Sequence, residues 1–306
     1  MLWNDTEVLK IREELKGRLR KRAASSKSEL GFIAPRFIFV CGKKYDGDSN
    51  SVRELTLKNL SGYAKKTDYN KKCLMVHSIV SERLYTEDIA DDIFSFEEML
   101  AEISETIIIP AESPGTFCEL GAFVMNKECR EKSIVINEAN PDYEESFISK
   151  GPIKLLENNN EDSVIKYSKP IRNDWKFNTI MESIAKRDFS ITPNCDSDNI
   201  SLKSLIYELA NIVEIFQPLN EYEIQELYKE FKGFHSYTIT NQSGHKIKSL
   251  NKVILLMKKM DLLVSDKCGR LSLNHYVSCF NVMFTLSRKQ AMDYRIRFLN
   301  RRKLYE

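Results

Sequence analysis

Short apolar runs between polar loops fill the earlier part of this chain, and apolar positions at helical spacing fill the later part. Arg36-Phe-Ile-Phe-Val-Cys-Gly42 is an unbroken apolar run ending at a glycine, the pattern of a buried parallel strand. Lys43–Ser51 is a polar loop, and Val52–Ala64 has the spacing of a helix. Strand, glycine-bearing loop and helix together predict the opening unit of a Rossmann-like parallel sheet. Lys72–His77, the run from Thr106, Lys132–Asn137 and Val164–Tyr167 predict further strands, the last at an edge. Phe96–Ser104 and Trp175–Ala185 predict helices, and Ser146–Leu156 is apolar enough to pack back on the sheet, with Gly151-Pro152 breaking it. Arg187–Ile200, containing Pro193-Asn-Cys-Asp-Ser-Asp-Asn199, is the expected domain boundary.

Beyond it the period changes. Leu202–Phe216, Glu221–Phe231 and Leu250–Leu263 predict three helices, with Ser249 a suitable N-cap for the third. Val264–Leu273 predicts two short strands about a Lys267-Cys-Gly269 turn. Three helices and a hairpin are the layout of a winged helix, which would make the third helix the recognition helix. It carries Lys252, Lys258 and Lys259, with Lys246 and Lys248 just ahead. Ser287–Leu304 predicts a last helix bearing Arg288, Lys289, Arg295, Arg297, Arg301, Arg302 and Lys303 against Asp293. At the other end, Val8, Ile11, Leu15 and Leu19 form the apolar stripe of a basic helix over residues 8–22. Each basic helix has two readings, a solvated face or a phosphate contact; the winged-helix layout together with the basic tail favours nucleic acid. The expected division is residues 1–30 for the basic helix and linker, 31–190 for a sheet domain and 200–306 for the winged-helix-like domain.

Composition narrows the class. The 306 residues suffice for two domains, and 42% hydrophobic with 29% charged residues is ordinary for a globular protein. No apolar run approaches the length of a membrane span, and the first residues lack the features of a signal peptide. Seven scattered cysteines without a CxxC pair argue against a disulfide framework and a zinc site, and fit a reducing cytoplasm. The absence of G-x-G-x-x-G and of a P-loop lysine motif argues against a classical dehydrogenase or an NTPase.

Candidate chemistry gathers where the strand from Thr106 meets Ser113-Pro-Gly115 and a helix follows. That loop lies at a strand's carboxyl end, where open α/β sheets bind ligands. Thr116 and Glu119 have the Thr-x-x-Glu spacing of a capping box, so two roles compete for the Glu119 carboxylate: helix cap or crevice. Pro114-Gly115 lets a ligand approach backbone N–H groups, and Ser113, Gly115 and Thr116 are placed to hold a phosphate or a ribose hydroxyl. Cys41 and Gly42 end the first strand; Gly42 would let a ribose or phosphate approach, and Asp46 and Asp48 follow in its loop. His77 is more readily a hydrogen-bonded structural residue than a base, and Cys118 a buried core thiol on the far face of its helix.

Glu112-Ser-Pro-Gly-Thr-Phe-Cys-Glu-Leu-Gly-Ala-Phe123 resembles the active-site signature of nucleoside 2-deoxyribosyltransferase-like proteins. It is most similar to the branch that serves as effectors of bacterial retrons, anti-phage systems built from a reverse transcriptase and its RNA–DNA product. The resemblance extends from about Arg36 to Leu156 and includes Phe39-Val-Cys-Gly42, Phe96-Glu-Glu-Met-Leu-Ala101 and Ser146–Leu156. Several blocks in one order are more specific than a single motif. The resemblance implies that Glu119 is the nucleophile or charge stabiliser at the sugar C1′. It places a second acidic residue near Glu82, and puts Glu97 in a shared block that faces the pocket.

Cleaving an N-glycosidic bond builds positive charge on C1′, which a carboxylate stabilises or traps. Glu82 or Asp46 would orient hydroxyls or protonate the leaving base. The expected activity is that of an N-glycosidase or transferase acting on a nucleotide, without a cofactor or metal and with NAD as a candidate substrate. As implied by the resemblance, it would be a toxin-like effector restrained by a retron reverse transcriptase with its RNA–DNA product, and an oligomer, since related transferases share residues across subunits. The alternative is a nucleotide-sensing or DNA-binding regulator with a degenerate site.

Overall fold

The computed structural model of the chain describes residues 2–24, 36–42, 51–66, 76–140, 144–168, 177–185, 201–232, 239–240, 246–247, 249–274, 283–284 and 286–306. The chain divides into two compact units, one of residues 35–190 and one of residues 1–34 with 191–306. The boundary expected at 187–200 lies outside the described residues up to Ser201.

The first unit is an α/β layer structure. Its strands are β1 (Arg36–Val40), β2 (Val76–Ile79), β3 (Thr106–Pro110), β4 (Ser133–Glu138) and β5 (Val164–Tyr167), all parallel, in the order β2-β1-β3-β4-β5. The second strand runs past the apolar run Lys72–His77: it continues through Ile79, because Val76–Ile79 pair with β1 from Arg36 to Phe39, and residues 72–75 lie outside the described residues. Between strands lie α2 (Val52–Lys66), α3 (Ser81–Leu84), α4 (Ile93–Ile103), α5 (Pro114–Met125), α6 (Lys127–Lys132) and α7 (Lys154–Asn159), with α8 (Phe177–Ala185) after β5. The N-terminal helix is α1 (Thr6–Ala24).

Side-chain alternation covers the sheet on both faces. Ile38, Val40, Ile108, Ile134 and Ile136 form one buried cluster with Val52 and Leu60 of α2 and Ile180 and Ile184 of α8. Phe37, Phe39, Ile107 and Ile109 occupy the alternate positions and are fully buried, and Phe39 meets Phe123 of α5 edge-on at 6.0 Å. The strand order reverses between β1 and β3, which pair with β2 and β4 on their other sides. Helix connections leaving adjacent strands in opposite directions open a crevice at the carboxyl ends of such a pair.

The second unit holds α1, α9 (Leu202–Phe216), α10 (Glu221–Lys232), α11 (Leu250–Lys259) and α12 (Arg288–Arg302), with hairpins β6/β7 (Ile239–Thr240, Lys246–Ile247) and β8/β9 (Leu263–Ser265, Leu271–Leu273). Ser201 caps α9, accepting from the Ser204 amide, and Ser249 caps α11, accepting from the Asn251 amide. The α11 helix stops at Lys259, short of the Leu263 expected from its spacing, because Leu263 is taken into β8. Leu271 bridges back to Leu219 in the α9–α10 connection, so the β8/β9 hairpin is tied to the helices by backbone bonds. Val8, Ile11 and Leu15 of α1 are fully buried in this unit, and Trp3 stacks on Phe298 of α12 at 5.6 Å. Among the described residues no helix is long and apolar enough to cross a membrane.

Candidate active site

The cap of α5 is set one turn earlier than the Thr-x-x-Glu spacing suggests. Ser113 is the N-cap and Pro114 the first helical residue; Ser113 Oγ accepts from the Thr116 amide at 3.3 Å, and Thr116 Oγ1 accepts from the Ser113 amide at 3.0 Å. Proline at the first position fixes this start, because it has no N–H to satisfy and its φ is already helical. Thr116 is therefore the N3 partner of the box, and Glu119 lies beyond the first turn with no part in the cap.

Glu119 is instead placed by helical spacing. The buried face of α5 is Thr116, Leu120, Phe123 and Val124. Glu119, three residues after Thr116 and four before Phe123, borders that face and is half-buried. Cys118 and Met125 turn away. Cys118 is exposed, not the buried core thiol expected from its apolar neighbours.

The Glu119 and Glu97 carboxylates both act electrostatically on Cys41, the residue after β1. The Cys41 thiol is fully buried, and burial first, then the Glu119 and Glu97 carboxylates, push it well above the usual thiol range; Arg53 opposes them. A thiol held protonated in this way is no nucleophile. Glu97, on α4, accepts from Ser81 Oγ at 2.7 Å, which ties it to the first residue of α3, two positions after β2. Residues predicted from three separate segments, Cys41–Gly42, Glu97 and Glu119, are thus linked by the charges that act on the Cys41 thiol.

Gly42 has φ +94°, and a Cβ there would lie 2.8 Å from Thr116 Cγ2 and 3.5 Å from Arg53 Cδ. Its glycine is required by close packing of the chain on itself, in addition to any approach by a ligand. Gly115 is different. It is exposed, and a Cβ there would meet only Ser113 Oγ, at 3.9 Å. In the first turn of α5, Thr116 and Phe117 give their N–H groups to Ser113, and Pro114 has none. Of the three residues expected to meet a phosphate, Ser113 and Thr116 therefore spend their groups on the cap, and Gly115 is the exposed one.

Two further residues belong to this place. Arg53, 3% exposed, donates from Nε to the Cys41 carbonyl at 3.1 Å. Glu112 accepts from the Val52 and Arg53 amides at 2.7 and 3.3 Å, so the loop after β3 caps α2. Sequence reasoning missed both. Their one signal is an arginine in the first turn of an otherwise apolar helix face. Glu112 and Glu138 also face Tyr167 at the end of β5, and with burial, the larger cause, raise its phenol. Asp46 lies outside the described residues; Glu82 is the second residue of α3 and His77 lies within β2, and their side chains are likewise outside the description. Among the described residues no group of three His, Cys, Asp or Glu could hold a metal ion.

The basic residues of the second unit separate into two sets. Arg297 donates to Glu7 at 2.7 Å and Glu14 at 3.0 Å, and Arg301 to Asp5 at 2.7 Å, all on or beside α1. Arg302 is buried against the Pro218 carbonyl and pairs with Glu306. Lys258 pairs with Glu221 at 3.2 Å. Lys259, Arg288, Lys289 and Lys303 are exposed, and Lys252 and Arg295 are half-buried.

Comparison with known proteins is consistent with these features. Residues 49–265 match the family model described as STM3845 retron effector protein. The chain is 26% identical over 229 residues to the provisionally named ribosyltransferase/DNA-binding protein of retron Ec73 from Escherichia coli, a match covering 69% of this chain and 71% of that one. It is 42% identical over 93 residues to the similarly named protein of retron Ec86 from Escherichia coli, covering 28% of this chain and 30% of that one.

Proposed function

Because this chain belongs to the STM3845 retron effector family, we propose that its α/β unit cleaves or transfers the N-glycosidic bond of a nucleotide with Glu119 as the essential carboxylate. The observation that carries this reading is the position of Glu119: outside the cap, half-buried, and acting with Glu97 on the end of β1 at the strand-order reversal. The strand order supports a Rossmann-like, nucleoside deoxyribosyltransferase-like sheet. The ribosyltransferase in the names of the two relatives supports glycosyl chemistry.

In this mechanism the C1′–N bond breaks with its electron pair leaving on the base, and positive charge spreads over C1′ and the ring oxygen. Glu119, ionised, stabilises that charge or bonds to C1′. Water or an acceptor hydroxyl then attacks C1′ and loses a proton; a purine or pyrimidine leaving group takes one from Glu82 or Asp46, whereas the cationic nicotinamide of NAD departs as the neutral base and needs none. Glu97, fixed by Ser81, orients a sugar hydroxyl. The candidate substrates are NAD, a deoxynucleoside and a base of DNA or RNA.

The test is chromatography of nucleotide pools incubated with the purified protein and with Glu119→Gln. Release of free base by the wild type and none by the variant supports the reading; equal release by both removes Glu119 from the chemistry.

In the second unit, three helices, a hairpin and the Leu219–Leu271 bridge support a winged-helix-like module. With the DNA-binding part of the relatives' names, this favours docking to the RNA–DNA product and reverse transcriptase of an anti-phage retron. That partner would hold a toxic activity in check.

A further inference from the structure

A buried guanidinium is unfavourable unless its fork is satisfied, and a satisfied fork fixes direction in a way an ammonium does not. Arg53 meets this condition beside the proposed site. Its Nε holds the Cys41 carbonyl at 3.1 Å and its Nη1 the Glu54 carboxylate at 2.9 Å, while its own amide goes to Glu112 at 3.3 Å. Its Cδ lies 3.5 Å from the point where a Gly42 Cβ would be, and Thr116 Cγ2 lies 2.8 Å from the same point. The left-handed residue two positions after β1 is therefore packed closely against both Arg53 and the cap of α5. The same cation acts on the Cys41 thiol in the sense opposite to Glu119 and Glu97.

We propose that Arg53 is the positioning residue of this site: its guanidinium fixes the Cys41 carbonyl, and with it the turn at Gly42, against the helix that carries Glu119. The inference rests on the reading of Glu119 as the reacting carboxylate, and its test separates the two.

The full chain is prepared as wild type, Arg53→Lys and Arg53→Ala. Base release gives kcat and KM, circular dichroism gives folding, and amide hydrogen exchange follows residues 37–42 and 106–110. Arg53→Lys is expected to fold, to lose about 10²-fold in kcat at nearly unchanged KM, and to exchange faster over 37–42 but not over 106–110. In folded Arg53→Ala, added guanidinium ion is expected to restore about tenfold of the lost rate, since it replaces the missing fork. A folded Arg53→Lys protein with wild-type kcat and wild-type exchange overturns the proposal. So does a loss that tracks the folded fraction alone, or a chain that folds with neither variant, for either makes Arg53 a stability residue. If the wild type releases no base, the glycosidic reading falls, and the exchange of residues 37–42 still decides whether Arg53 holds the turn.

Discussion

The Arg301 guanidinium closes on the Asp5 carboxylate at 2.7 Å, joining the last helix to a residue 296 positions earlier. Tyr305 adds its hydroxyl to the same carboxylate at 3.1 Å, and the Glu7 amide donates to it at 2.9 Å. The dense row of arginines on α12 is therefore partly internal structure: Arg297 and Arg301 answer the acids of α1.

This pair predicts an acid limb in stability. Arg301, first among several donors, holds the Asp5 carboxyl well below the usual carboxylate range, against the burial that pushes it up. The folded state thus favours the ionised form. The stabilisation is present above the unfolded value of about 3.9 and is lost as pH falls from there toward the depressed folded value. Denaturation of wild type and Asp5→Asn over pH should show a stability difference at neutral pH that shrinks below about pH 4. A difference independent of pH would mean that shape, not charge, makes the interaction.

Nucleic-acid binding should depend on the outward set of cations. Replacing Arg288, Lys289 and Lys303 with Gln should flatten the plot of log affinity against log salt by about 0.9 for each duplex phosphate that is no longer neutralised. Arg301→Gln should lower the melting temperature and leave that slope nearly unchanged. The opposite pattern would show that the α1 ion pairs open on binding.

The two glycines of the site should respond differently. Gly42→Ala puts a methyl group 2.8 Å from Thr116 Cγ2 at φ +94°, and should cost about 1–3 kcal/mol of stability. Gly115→Ala meets nothing closer than 3.9 Å, so thermal melting should be nearly unchanged. Any loss of base release in that folded variant then reports a ligand approaching the α5 terminus. Equal melting temperatures for the two variants would contradict the close packing at Gly42.

Restraint by a partner is tested by co-expression. The wild-type chain alone should arrest growth, Glu119→Gln should not, and a retron reverse transcriptase with its RNA–DNA product should restore growth to the wild-type culture. Normal growth with soluble, active wild-type protein and no partner would exclude this regulation.

The sequence by itself determined the elements. Apolar runs such as Phe37–Val40 and Ile107–Ile109 demand burial on both faces, and a parallel sheet supplies it. The Ser113-Pro-Gly turn demands a helix start, and the shared signature singles out Glu119. All of this is local, carried by residues within a turn or a strand of one another. Proline at 114 sets the helix start at Ser113, which is local as well, and leaves Glu119 outside the cap. Only the tertiary structure brought the charges of Glu119 and Glu97 to act on Cys41. It also turned Cys118 outward, gave the Cys41 carbonyl to Arg53, and gave Arg297 and Arg301 partners on or just before α1. A side chain's helical position follows from neighbours a few residues away. Its ion-pair or hydrogen-bond partner sits across the fold, as Asp5 does for Arg301, and no spacing along the chain specifies it.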